Sequence, residues 1–101
     1  MITRVEQRRV VARKKHRCWE CGHLIEVGEE HIDDVLKDDA VYHYRAHGDC
    51  YACAMAVDEA RGFTLSGDER YPLHEDDDFK DELDAWATEY PRVVARFRRP
   101  S

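Results

Sequence analysis

Two short steps, separated by twenty-five residues, constrain this chain more than any other feature of it. Cys18-Trp19-Glu20-Cys21 has the form C-x2-C, and His47-Gly48-Asp49-Cys50 has the form H-x2-C. A two-residue gap lets both sulfurs of one tight turn reach a single ion. Two such steps supply four nitrogen and sulfur donors, the closed tetrahedral set that zinc takes in structural sites. Gly22 follows the first pair and can take the left-handed conformation that a tight knuckle needs. Ile25 and Val27 then lead to Gly28, a second turn point that closes a short hairpin. Spacing alone leaves the donor set open. Cys53 stands three residues after Cys50 and makes a second legal C-x2-C pair, and His43 stands four residues before His47.

Two other readings of the cysteines compete with a metal site. Free cysteine is often simply buried. Disulfides fit less well, because the start of the chain, Met-Ile-Thr-Arg, lacks the apolar run of a signal peptide; a reducing, cytoplasmic setting is expected. At 101 residues the chain is expected to form one domain. A chain this short buries about 60–65% of its unfolded surface, so a structural metal is a sensible supplement to a thin core. No run approaches the roughly 20 apolar residues of a membrane span.

Charge is distributed unevenly. The net charge is −6, yet residues 1–17 carry seven Lys or Arg against one Glu, and residues 91–101 carry four Arg and no acid. Between them, residues 18–57 hold nine acidic groups against two basic, and residues 58–90 hold twelve against three. Both ends are basic and the body is acidic.

Along the chain, Val5, Val10 and Val11 give residues 4–13 strand character, and the basic run Arg13-Lys14-Lys15-His16-Arg17 follows. That run reads as a nucleic-acid-contacting arm, as a solvated surface, or as compensation for the −1 charge of a zinc ion bound to three thiolates. Residues 30–45 read as a β-hairpin turning at Lys37-Asp38-Asp39, with Val41 and His43 on one face and Tyr42 and Tyr44 on the other. His47 to Arg61 reads as a helix. Asp49 sits in its first turn, Gly62 stops it, and Cys53, Ala56, Val57 and Ala60 form its buried stripe. Phe63 to Leu73 reads as a loop with a short strand at Phe63-Thr64-Leu65. His74 to Tyr90 reads as a second helix with Phe79, Leu83, Trp86 and Tyr90 along one side, terminated by Pro91. Val93, Ala95 and Phe97 alternate with Val94, Arg96 and Arg98 and read as a final strand or extended tail.

The stretch from Arg17 to Tyr51 resembles the treble-clef family of zinc modules. It is most similar to poly(ADP-ribose) polymerase type fingers and to small finger proteins of bacteriophages and mobile elements. The residues that carry the likeness are Cys18, Cys21, Ile25, Gly28-Glu29, His47, Cys50 and Tyr51, over about a third of the chain. The resemblance implies Zn2+ held by Cys18, Cys21, His47 and Cys50, with Cys53 left as a core residue. It also implies an α+β fold of knuckle, β-hairpin and helix over residues 1–62. Residues 63–101 are expected as a helical extension packed on that module.

Three functions are in view. The acidic body suits a basic protein partner, and the resemblance to phage proteins implies a host protein of the transcription or defence machinery, met in a bacterial or infected-host cytoplasm. The amphipathic side formed by Phe79, Leu83, Trp86 and Tyr90 is a candidate for that contact. The second reading is a nucleic-acid clamp by Arg13, Lys14, Lys15, Arg17, Arg96, Arg98 and Arg99, which fits the DNA binding of the resembled fingers but conflicts with the acidic body. The third is a metal-dependent nuclease using His43, His74 and Asp76-Asp77-Asp78. It is the weakest, because a four-ligand zinc has no open position for water and no nucleophile–base pair is recognisable. A non-catalytic protein is expected.

Overall fold

The alternation that marks residues 30–45 as a hairpin extends to His47 in the structure and builds two strands of a three-stranded antiparallel sheet. The computed structural model describes residues 3–62 and 72–99. Its strands are β1 (Thr3–Val11), β2 (His16–Arg17), β3 (Leu24–Ile25), β4 (Glu30–Lys37) and β5 (Val41–His47). Helices α1 (Gly48–Ala60), α2 (Asp77–Asp81), α3 (Leu83–Trp86) and α4 (Pro91–Arg98) follow, with a 3-10 turn at Leu73–Glu75 ahead of α2. The larger sheet has the order β1-β4-β5, and β2 pairs with β3 in a two-stranded ribbon. The architecture is α+β.

β4 is central, and its two faces meet different environments. On one face Ile32 and Ala46 are cross-strand partners and both are buried. Tyr44, on the same side of β5, meets Tyr51 of α1 at 6.2 Å between ring centroids, so α1 covers this face. Gln7 of β1 donates a hydrogen bond to the Tyr51 hydroxyl at 2.8 Å. On the other face Arg8, Asp33 and Arg45 form one row across the three strands. Asp33 is 1% exposed there. It is covered by the polar ends of Arg8 at 3.1 Å, His43 at 2.9 Å and Arg45 at 3.7 Å.

The core is shared by the whole described chain. Cys18, Cys21, Ile25, Ala46, Cys50, Cys53 and Val57 from the first part cluster with Leu73, Phe79 and Val93 from the second. The buried side of α1 runs through Cys50, Cys53, Ala54, Val57 and Asp58. Ala60, placed in the stripe by periodicity, is exposed. Gly62 ends α1 as expected, with a φ of +75° that favours glycine.

The C-terminal third departs from the expected pattern. In place of one helix from His74 to Tyr90 there are three short pieces. Asp76 has an extended backbone and its side chain accepts the Phe79 N–H at 3.0 Å, so it caps a new helix instead of continuing an old one. Glu82, at φ −107° and ψ 17°, breaks the chain again. The final segment is a helix and not a strand. Pro91 sits at its start, where a missing N–H costs nothing, and Val93, Val94 and Phe97 turn inward on a helical period. The strand-like alternation was an accident of two adjacent valines. The expected strand at Phe63-Thr64-Leu65 lies outside the described residues.

For Phe79, Leu83, Trp86 and Tyr90 the sequence offers packing on the first part of the chain, with contact to a partner as a candidate role. Phe79 is fully buried and packs edge-on to Phe97 at 5.1 Å, and the other three rest against the same core. Replacing Phe79 with Ala should therefore cost about 3–4 kcal/mol in chemical denaturation; an unchanged midpoint would mean that the C-terminal segment is not part of the core.

Asp33 gives a second expectation. Burial alone raises its pKa, but hydrogen bonds from His43 and Arg8 and the charge of Arg45 outweigh burial and hold the carboxyl below its ordinary value of 3.8. A carboxyl depressed by folding adds stability above its unfolded pKa, and that contribution is lost as pH falls through the lower folded value. Thermal melts between pH 6 and about pH 2.5 should thus show a shallower acid loss for Asp33→Asn than for the natural chain. Equal slopes would remove Asp33 from the balance.

Candidate metal centre

The knuckle after β2 is shaped by its own backbone. The Gly22 N–H donates to the Cys18 carbonyl at 2.9 Å, and the Cys18 N–H donates to the His23 carbonyl at 2.9 Å. Gly22 closes the turn at φ +76°, a conformation that L side chains rarely adopt. This turn points Cys18 and Cys21 inward. The other two donors come from the junction of β5 and α1. His47 is the N-cap residue of α1 but makes no capping hydrogen bond with its side chain, and Cys50 lies in the first helical turn.

Cys18, Cys21, His47 and Cys50 converge. Their donor atoms all lie within 4.8 Å of one another and all four residues are buried. His47 Nδ1 is 3.5 Å from Cys21 Sγ and 3.7 Å from Cys50 Sγ. A tetrahedron with metal–sulfur bonds of about 2.3 Å and a metal–nitrogen bond of about 2.0 Å has sulfur–nitrogen edges of about 3.5 Å. The spacing therefore fits a single metal ion held by three sulfurs and one imidazole nitrogen. Cys53 and His43, the two competitors left open by the sequence, both lie outside the cluster. Cys53 is buried, and desolvation, with Glu20, Asp49 and Glu89 adding to it, pushes its thiol up to about 12. It behaves as a small core residue.

Hydrogen bonds from Cys21 and Cys50 draw Cys18 far below the ordinary thiol range, while Cys18 and Cys21 push Cys50 far above it. For His47, burial lowers the pKa, but the Cys18 and Cys21 sulfurs more than reverse that and raise it to about 10. Donors packed this closely compete for protons, and a divalent ion that binds them would displace those protons.

The surroundings continue the same logic. His47 Nε2 is 3.4 Å from Glu29 Oε1, so the nitrogen facing away from the cluster meets a carboxylate. With a metal bound, that contact would hold the proton on Nε2 and leave Nδ1 to the ion. Arg96 of α4 places Nη1 3.3 Å from Cys50 Sγ and 2.7 Å from Asp49 Oδ1. Asp49 in turn accepts the Cys50 N–H at 2.9 Å. Three thiolates and a divalent ion carry an excess of one negative charge, and Arg96 is the cation nearest to relieve it. Compensation of that charge is one of three readings the sequence allows for the basic run at residues 13–17, and the residue at the sulfur is Arg96. A residue forty-six positions from Cys50 could not be paired with it by any local spacing.

Three more hydrogen bonds fasten the C-terminal segment to the knuckle. Glu20, inside the C-x2-C step, is buried; its Oε1 accepts the Leu73 N–H at 3.1 Å and its carbonyl accepts the His74 N–H at 2.8 Å. His23 Nε2–H donates to the Arg96 carbonyl at 2.7 Å.

Of the residues expected as a nucleic-acid clamp, Arg13, Lys14, Lys15, Arg17, Arg98 and Arg99 are exposed and Arg96 is half-buried. Lys15 lies 3.8 Å from Glu26, and Arg17 donates to the Gly22 carbonyl. Arg96 is spent on Asp49 and Cys50, and Arg98 pairs with Asp84. Of the groups considered for catalysis, His43 is tied to Asp33, Asp76 caps α2 and pairs with Arg61, and Asp77 is 91% exposed. They are not gathered in one place.

No family model, curated protein or solved structure matches the chain.

Arg96→Gln should weaken metal binding about tenfold in competition with a chromophoric chelator while leaving the circular dichroism of the loaded protein intact. Unchanged affinity would make Arg96 a packing residue only. Cys53→Ala should keep the metal and cost about 1–2 kcal/mol, whereas Cys18→Ser should lose it; metal loss in the Cys53 variant would overturn the ligand assignment.

Proposed function

We propose that the chain is a non-catalytic zinc module of treble-clef type that binds a basic protein partner through an acidic surface. Zinc is favoured by the donor set, since three thiolates and one imidazole in a closed tetrahedral arrangement suit it better than the oxygen-seeking divalent ions. The treble-clef reading is supported by the order of parts: a knuckle with two ligands, a hairpin, and a helix whose start carries the other two. The observation that carries the non-catalytic reading is that all four positions around the ion would be filled by buried side chains. No open position is left for a water or substrate.

The partner reading rests on where the acidic groups lie. In the first part of the chain much of the negative charge is consumed internally: Asp33 and Asp34 are buried against arginines, and Glu20 is buried beneath the knuckle. In α2, α3 and the turn after them, Asp77, Asp78, Asp81, Glu82, Asp84 and Glu89 are exposed. An acidic strip of this kind steers a basic partner and resists a phosphate backbone. The resemblance to small proteins of bacteriophages and mobile elements makes a host protein the partner expected.

The test compares the natural chain with Asp78→Lys/Asp81→Lys as bait in a bacterial lysate at low and moderate salt. A partner captured by the first, lost with the second and weakened by salt is the expected result. Capture that ignores both the charge reversal and the salt would sink the acidic-surface reading.

A further inference from the structure

The sheet face opposite α1 carries a group of side chains that neither the metal centre nor the acidic strip uses. Asp33 of β4 lies at its middle with a side chain 1% exposed, and three cation-forming side chains converge on it from the two flanking strands, Arg8 from β1 and His43 and Arg45 from β5. Arg8 Nη2 and Arg45 Nη1 approach the same oxygen, Oδ2, at 3.1 and 3.7 Å, while His43 Nδ1 meets the other, Oδ1, at 2.9 Å. One carboxylate thus anchors two guanidiniums and an imidazole. Their outer parts remain accessible, with side chains 47%, 25% and 41% exposed for Arg8, Arg45 and His43.

Chemistry decides what such a group can receive. Each guanidinium has five N–H donors and Asp33 occupies only the inward ones. His43 spends Nδ1 on Asp33, so Nε2 is its remaining nitrogen. The carboxylate cancels one of the two permanent positive charges, and the remaining excess sits on partly exposed guanidiniums whose other donors Asp33 does not occupy. Glu6, which pairs with Val35 one strand step from Arg8, marks the acidic limit of the patch along β1. The donors sit on strands and their rotamers are held by a buried anchor. That preorganisation lowers the entropy cost of gripping a tetrahedral oxyanion.

We propose that this face is a binding site for a phosphate group, contacted by Arg8, Arg45 and His43, with Asp33 as the residue that positions them. The ligand is a phosphate-bearing molecule, whether free phosphate, a nucleotide or the backbone of a polynucleotide. The site is independent of the acidic strip, so its failure leaves the partner reading untouched.

The experiment titrates the metal-loaded full chain with inorganic phosphate, with ATP and with a single-stranded oligonucleotide, by calorimetry and by amide chemical shifts. Saturable binding is expected, with shifts centred on residues 8, 33, 43 and 45. Arg8→Gln and His43→Gln should each weaken it about tenfold, since each removes a charge-assisted or directed hydrogen bond. Lys14→Gln should leave it intact. Equal affinity for inorganic phosphate and ATP would identify the bare anion, tighter ATP binding a nucleotide, and tighter, steeply salt-dependent oligonucleotide binding a polynucleotide. No saturable binding of any probe at millimolar concentration overturns the proposal. So does binding that survives both substitutions in variants whose melting temperatures show them folded.

Discussion

Four buried side chains drawn from two separated parts of the chain meet with their donor atoms within 4.8 Å of one another, and most of the fold is arranged to let them. The knuckle supplies two sulfurs through a turn that Gly22 makes possible. The junction of β5 and α1 supplies the imidazole and the third sulfur, and it lies there because the hairpin returns the chain to the knuckle. A small chain has little apolar surface to bury, so a metal that converts binding energy into folding energy compensates for a thin core. The centre is also where that core begins, since Ile25, Ala46 and Cys53 pack around the ligands.

The C-terminal segment is tied to this centre by electrostatics as well as packing. Phe79 and Val93 complete the apolar cluster. Arg96 then brings a guanidinium to the edge of the sulfur set, where burial of negative charge makes a cation most useful. Asp49 holds that guanidinium in place and lies beside Cys50 at the positive end of α1. The cluster of four donors and the C-terminal helix are therefore joined through the contacts of Arg96 with Cys50 and Asp49.

The ligands, the hairpin and α1 were legible because each is written in local spacing: two-residue gaps, a period of two, a period of 3.6. The C-terminal third was not. Its aromatic positions fit one long helix, yet Asp76 prefers to cap and Glu82 departs from helical geometry, and neither event alters the hydrophobic period. Val93 and Val94 are adjacent, so a strand and a helix both explain them until the core decides. The contacts of Arg96 with Cys50 and of Glu20 with Leu73 cross long sequence distances, and no period encodes them. The anchoring of Arg8, His43 and Arg45 on Asp33 likewise depends on the strand order β1-β4-β5, which pattern alone does not dictate.

The dependence of the fold on a metal is tested most directly by removing it. Purified protein, assayed for metal by mass spectrometry and followed by circular dichroism during titration with a strong chelator, should begin with one zinc per chain. It should lose its tertiary signal in step with the metal and regain it when zinc is returned. Protein that carries no stoichiometric metal, or that keeps its tertiary signal after the chelator has taken the ion, would contradict the account.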